Sequence, residues 1–230
     1  MLPSKITHKT QFRNFYRKSK AVASSGVNLN VEVIPSHDEK ETAKHAVFLH
    51  GLFGQGQSFK FLAKAKAIQA THTCHLVTLR NHGHSDRHPL MDYKSLAADV
   101  RGYLEQSGLE KEQVTLVGHS LGAKAAMTYA CMWPEAVDRL VSLDASPVDR
   151  TMYPHLNETS ERMIENALKV GQSLVGLPLE EAVRKIKADV QEKVLQTALL
   201  LNLNQDGTLK VNLPAIYENQ EHIYGFPSTD

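Results

Sequence analysis

Four short apolar runs, each ending in a turn, constrain this chain more than any other feature. They are Ala46-Val47-Phe48-Leu49, His75-Leu76-Val77-Thr78-Leu79, Val114-Thr115-Leu116-Val117 and Leu140-Val141-Ser142-Leu143. Continuous runs of this kind read as strands buried on both faces of a parallel sheet. The intervals between them have helical period. Tyr93, Leu96, Ala97, Val100, Tyr103 and Leu104 make one helix face, with Asp92 placed as N-cap and Gly108 as terminator. Phe59, Leu62 and Ala63 begin a similar stripe. Upstream, Val27, Leu29, Val31 and Val33 alternate with Asn28, Asn30 and Glu32, as in a strand with one wet face. Strand alternating with amphipathic helix predicts an α/β fold, a mostly parallel sheet with helices on both faces.

After Asp144 the pattern changes. Residues 149–222 keep a helical period, as in Met163-Ile164-Leu168, Ala182-Val183-Ile186 and Val194-Leu195-Leu199, and no strand is expected there. An all-helical block on a parallel sheet reads as a lid. The expected organisation is a basic segment over 1–26, an α/β core over 27–148, and a helical lid returning toward the core over 149–230.

Composition excludes several classes. A net charge of +1, from 26 Lys and Arg against 25 Asp and Glu, leaves no footprint for nucleic acid. A hydrophobic fraction of 42% argues against a disordered chain. No apolar run approaches the roughly 18 residues of a membrane-spanning helix. Two cysteines, Cys74 and Cys131, form neither a disulfide framework nor a zinc motif. The expectation is a soluble intracellular protein. The first 31 residues hold no acid, and Lys5, Lys9, Arg13 and Arg17 recur every four residues. That composition fits an organelle transit peptide or a solvated basic tail, and both readings stand.

The sharpest chemical signal is Gly118-His119-Ser120-Leu121-Gly122, a G-x-S-x-G between a buried strand and a helix. In that context the pattern is a nucleophile elbow, a strained turn that exposes a serine hydroxyl. Glycines on either side keep Cβ atoms out of the adjoining strand and helix. The second signal is His50-Gly51-Leu52-Phe53-Gly54 at the end of an earlier strand. Acyl transfer needs backbone N–H groups aimed at the developing oxyanion, and Leu121 and Phe53 are placed to supply them. Phosphate loops do not fit: Gly51, Gly54 and Gly56 give GxxGxG, and Ala123 and Ala125 break the Walker pattern after Gly118. Asp144 follows the last apolar run, where catalytic groups leave the carboxyl ends of strands. It reads either as the acid that orients a histidine or as a turn residue before Ser146-Pro147.

These motifs, with Arg80-Asn81-His82-Gly83-His84-Ser85 and Val141-Ser142-Leu143-Asp144-Ala145-Ser146-Pro147-Val148, stand in an order that resembles the alpha/beta-hydrolase fold family. Within it the chain is similar to the alpha/beta-hydrolase domain-containing protein 11 group and related bacterial esterases, from about Val27 onward. The resemblance implies a serine hydrolase of carboxylic esters or thioesters, with lipid or acyl substrates, no cofactor, no metal and a mitochondrial setting, a cytoplasmic one being the alternative. Thr78 stands where such proteins usually carry an Asp. The family also continues past the lid into two strands and a helix, with its catalytic histidine after the last strand. This chain ends at Phe226-Pro227-Ser228-Thr229-Asp230, so no residue here matches that histidine.

Twelve histidines remain. His119 adjoins the nucleophile on a sharp turn and is expected to point away from it. His50 is expected to brace the oxyanion loop. His82, His84 and His88 share a loop with Asp86 that could mimic a metal site, though the family's loop has the same character. His222, near the end of the lid, is the remaining candidate base. Two functions follow: a serine hydrolase with Ser120 as nucleophile and Asp144 as acid, or a catalytically silent binding protein that keeps the pocket.

Overall fold

The computed structural model describes residues 26–37 and 43–227. The basic N-terminal segment lies outside the described residues, apart from Gly26. Five strands form one sheet: β1 (Val31–Ile34), β2 (Lys44–Leu49), β3 (His72–Val77), β4 (Val114–His119) and β5 (Val137–Leu143). Their order is β1-β3-β2-β4-β5, with β1 antiparallel to β3 and every other pair parallel. β3 lies on one side of β2 and β4 on the other. The chain therefore reverses its winding at β2, and ligands of open α/β sheets bind beyond the carboxyl ends of strands at such a point.

Alternation along the strands assigns the two faces. Val47, Leu49, Val77, Val114 and Leu116 belong to a large core cluster, while Ala46, Phe48, Cys74, Leu76 and Val117 belong to a smaller one on the other face. The smaller face is covered by two short helices, α1 (Lys60–Ala63) and α2 (Lys66–Gln69), where Phe59, Leu62 and Ala63 lead the sequence to expect a longer helix. Only Ala63 of that stripe is buried; neighbouring Phe61 is 93% exposed.

The larger face is covered by α3 (Tyr93–Gln106) and α4 (Leu121–Met132). Asp92 caps α3 as expected, its carboxylate accepting from Ser95 N at 2.7 Å, and Gly108 adopts a φ of 71° beyond its end. Met163, Ala182 and Leu195 mark the lid helices α5 (Glu158–Ser173), α6 (Leu179–Asp189) and α7 (Lys193–Leu201), followed by α8 (Leu213–Glu218) and α9 (Gln220–Tyr224). Lid and core share the large apolar cluster, through Ile164, Ile186, Leu199 and Ile216.

Two strands depart from the pattern. Val33 is 49% exposed and Ile34 is buried, so the alternation of β1 does not hold to its end. β5 was expected to be buried on both faces, yet Leu140, Val141 and Leu143 are 36–41% exposed. The cause is position: β5 is the outermost strand beside β4 among the described residues. A run of apolar residues reports hydrophobicity, not rank in the sheet.

Three asparagines hold the lid to the core, and no periodicity marks them. Asn202 Nδ2 donates to Phe53 O at 2.8 Å, Asn212 Nδ2 to Asn81 Oδ1 at 2.9 Å, and Asn219 Nδ2 to Pro89 O at 2.7 Å. Asn202 and Asn219 are buried, where an amide's donors and acceptor must be matched.

Candidate active site

Strand register sets the site. Leu49 pairs with Gly118 and His119 with Leu143, so β2, β4 and β5 end side by side. The residues that follow are the His50-to-Gly54 loop, Ser120 and Asp144. Three of these positions carry backbone strain: Phe53, Ser120 and Asp144 have φ of 61°, 49° and 56°. Such conformations cost about 1–3 kcal/mol for a non-glycine residue and persist where surrounding structure imposes them.

The elbow glycines are required by contact. A Cβ on Gly118 would run into the Ala123 backbone. One on Gly122 would run into the Leu49 carbonyl and lie 2.6 Å from His50 O. A Cβ on Gly51 would sit 2.6 Å from His119 Nδ1, so the His119 ring rests on the glycine-rich loop after β2. Ser120 N donates to Leu143 O at 2.9 Å, which continues the β4–β5 pairing into the turn. α4 begins at Leu121, so its first N–H groups lack intrahelical acceptors and face the cavity end of the helix.

Ser120, Leu121, Phe53 and Asp144 line one cavity of about 450 Å³, together with His119, Arg150, Met163 and Val194. All four expected site residues therefore meet. His119 Nε2 lies 4.0 Å from Asp144 Oδ2, and both side chains are open to solvent. His119 lines the cavity beside Ser120, and its ring lies against Gly51. No described histidine hydrogen-bonds Ser120 Oγ. His222 lines a separate cavity with Asp149 and Glu221.

Two other histidines build the loop. His50 Nδ1 donates to Gly51 O at 2.7 Å, so its Nε2 accepts from Leu79 N at 2.9 Å. His82 Nδ1 donates to Arg80 O at 2.9 Å, and its Nε2 accepts from Phe53 N at 3.2 Å. Carbonyl partners fix both tautomers, because a carbonyl only accepts. Burial pushes His50 down to about 3, with the nearby His82 adding to it, and pushes His82 down to about 4. Both imidazoles are neutral braces. His82 thus braces the loop that carries Phe53, and Asp86 accepts from Asn28 N and Nδ2. Thr78 has a similar part: its Oγ1 accepts from Gly56 N at 3.1 Å.

The braces carry a pH dependence. Their folded pKa values lie below the unfolded value of 6.5, so the stability they contribute is present above pH 6.5 and is lost as pH falls toward 4. At pH 5.5 each is expected to cost about 1.4 kcal/mol relative to pH 7.5. Urea midpoints at the two pH values, with His82→Gln showing a weaker dependence, check this; equal slopes would count against it.

Comparisons with known proteins agree with this architecture. The alpha/beta hydrolase fold family matches residues 44–208. The sn-1-specific diacylglycerol lipase ABHD11 of Danio rerio is 34% identical over 212 residues, covering 90% of this chain and 64% of that protein. Esterase YbfF of Escherichia coli is 30% identical over 181 residues, covering 78% and 66%. A solved marine microorganism esterase superposes with a TM-score of 0.73 at 25% identity, covering 88% of this chain and 75% of that one. The chain spans about three fifths of the length of the ABHD11 relatives it matches. With a serine on a strained turn between β4 and α4, a glycine-rich loop after β2 and a helical lid, the chain belongs to the alpha/beta hydrolase fold family.

Proposed function

We propose that this protein is a serine hydrolase of carboxylic esters or thioesters, acting on lipid or other acyl substrates through an acyl-enzyme on Ser120. The observation that carries the reading is the strained Ser120 at the start of α4, opening into a cavity with an apolar wall. Ser120 Oγ attacks the acyl carbonyl, the alcohol or thiol leaves, and water releases the acid. The Leu121 N–H stabilises the oxyanion, with Phe53 N–H as second donor once it gives up its long bond to His82. Asp144 is the acid that orients the base, and His119 is the described histidine beside it. The names of the relatives, a diacylglycerol lipase and an esterase, support the acyl substrate class. The acid-free basic N-terminal stretch supports a mitochondrial setting.

One observation favours a second reading, a binding protein that keeps the pocket: no described histidine bonds Ser120 Oγ. Labelling with a fluorophosphonate probe, followed by mapping of the labelled peptide, decides between them. Modification of the peptide containing Ser120 is expected. A folded chain that takes up no label would give the second reading the lead.

A further inference from the structure

The wall of the serine cavity is held by a lysine that the proposed chemistry leaves unused. Lys124 sits one turn after Ser120 on α4, is only 6% exposed, and spends its ammonium on three carbonyls. Nζ donates to Val148 O at 3.0 Å, Tyr224 O at 3.0 Å and Gly225 O at 2.8 Å. The Tyr93 ring lies 5.6 Å away, and its hydroxyl donates to Ile223 O at 2.6 Å. Lys124 and Tyr93 thus cap three consecutive carbonyls at the end of α9, which its own helix leaves without partners.

This short stretch divides two cavities. Ile223 and Tyr224 line the serine cavity of about 450 Å³, while Gly225 lines a neighbour of about 420 Å³. Tyr93 lines both. We propose that Lys124 is a positioning residue that sets acyl-chain length, because its three bonds keep the end of α9 in place as the partition between the two cavities. The proposal rests on the serine-hydrolase reading for its substrate class. Its geometry does not depend on that reading.

Releasing the partition joins the cavities and lets a longer alkyl chain leave water. Each newly buried methylene strengthens binding about fourfold. In a Ser120→Ala background, calorimetric binding of decan-1-ol and hexan-1-ol reads pocket length without chemistry. Lys124→Met is expected to raise the decanol-to-hexanol affinity ratio by about tenfold or more. Lys124→Arg, which keeps the charge, should restore most of the original ratio. Tyr93→Phe removes only the bond to Ile223 and should shift the ratio less, in the same direction; it also serves if Lys124→Met does not fold. With Ser120 present, p-nitrophenyl butyrate and decanoate should show the change in KM rather than kcat. An unchanged ratio in a folded Lys124→Met variant, or in Tyr93→Phe where Lys124→Met fails to fold, overturns the proposal. A shifted binding ratio in a chain that hydrolyses neither ester would leave the partition standing and remove the hydrolase.

Discussion

Ser120→Ala is expected to abolish fluorophosphonate labelling and ester hydrolysis while leaving the unfolding midpoint almost unchanged. Ser146 and Ser160 line the same cavity, so uptake of probe alone does not identify the nucleophile; its loss in this variant does. Ser120 differs from both in its backbone, with φ 49° and ψ −113°, a conformation that aims the side chain out of the turn. Alanine meets the same strain as serine there, which is why stability should not move. Ser120→Gly separates the two effects. Glycine tolerates positive φ, so this variant should lose labelling equally but gain about 1 kcal/mol of stability. Labelling that survives in either variant would place the nucleophile elsewhere. A Ser120→Gly chain no more stable than Ser120→Ala would mean that the turn stores no strain.

Much of this site can be read in the sequence because it depends on local geometry. Gly118 and Gly122 announce a strand and a helix in backbone contact, and the Leu49 carbonyl meeting Gly122 is the contact they anticipate. Asp92 and Gly108 mark the ends of α3 for similar local reasons. What stays hidden depends on contacts far apart in the chain. Lys124 is 100 residues from Tyr224, and nothing in the composition of either segment tells a clamping lysine from a solvated one. His50 reads as a brace of the loop after β2 and His82 as part of a loop that could mimic a metal site, but only their carbonyl partners fix both as neutral imidazoles. β5 shows the same limit in the core: its apolar run is real, but the strand order decides its burial. Periodicity carries the face of an element, whereas topology decides what covers it.

The ion pair beneath the loop after β3 shows how strongly such a hidden contact can act. Arg80 Nε and Nη2 meet Asp99 Oδ2 and Oδ1 at 2.5 Å and 2.7 Å, a two-pronged pairing with both side chains at or below 1% exposure. Arg80 Nη1 also donates to Leu90 O at 2.8 Å, tying the loop to the segment that enters α3. Asp99→Ala is expected to cost about 3–5 kcal/mol, because it leaves a buried guanidinium without its counter-charge. Arg80→Met should cost a similar amount by removing the charge that the buried carboxylate pairs with. The double variant Arg80→Met/Asp99→Leu should recover most of that loss, since an apolar pair of similar volume needs no desolvation of charge. Urea unfolding of the three variants measures it, and the sum of the single costs exceeding the double by several kcal/mol is the expected coupling. Simple additivity would mean that the pair is solvated. The pair also reaches the site. Arg80 O holds the His82 ring, and His82 holds Phe53 N, so loosening the pair unsettles the loop that carries Phe53, the proposed second oxyanion donor. The single variants should therefore lose labelling rate at Ser120 even where they remain folded, and the double variant should regain stability before it regains that rate.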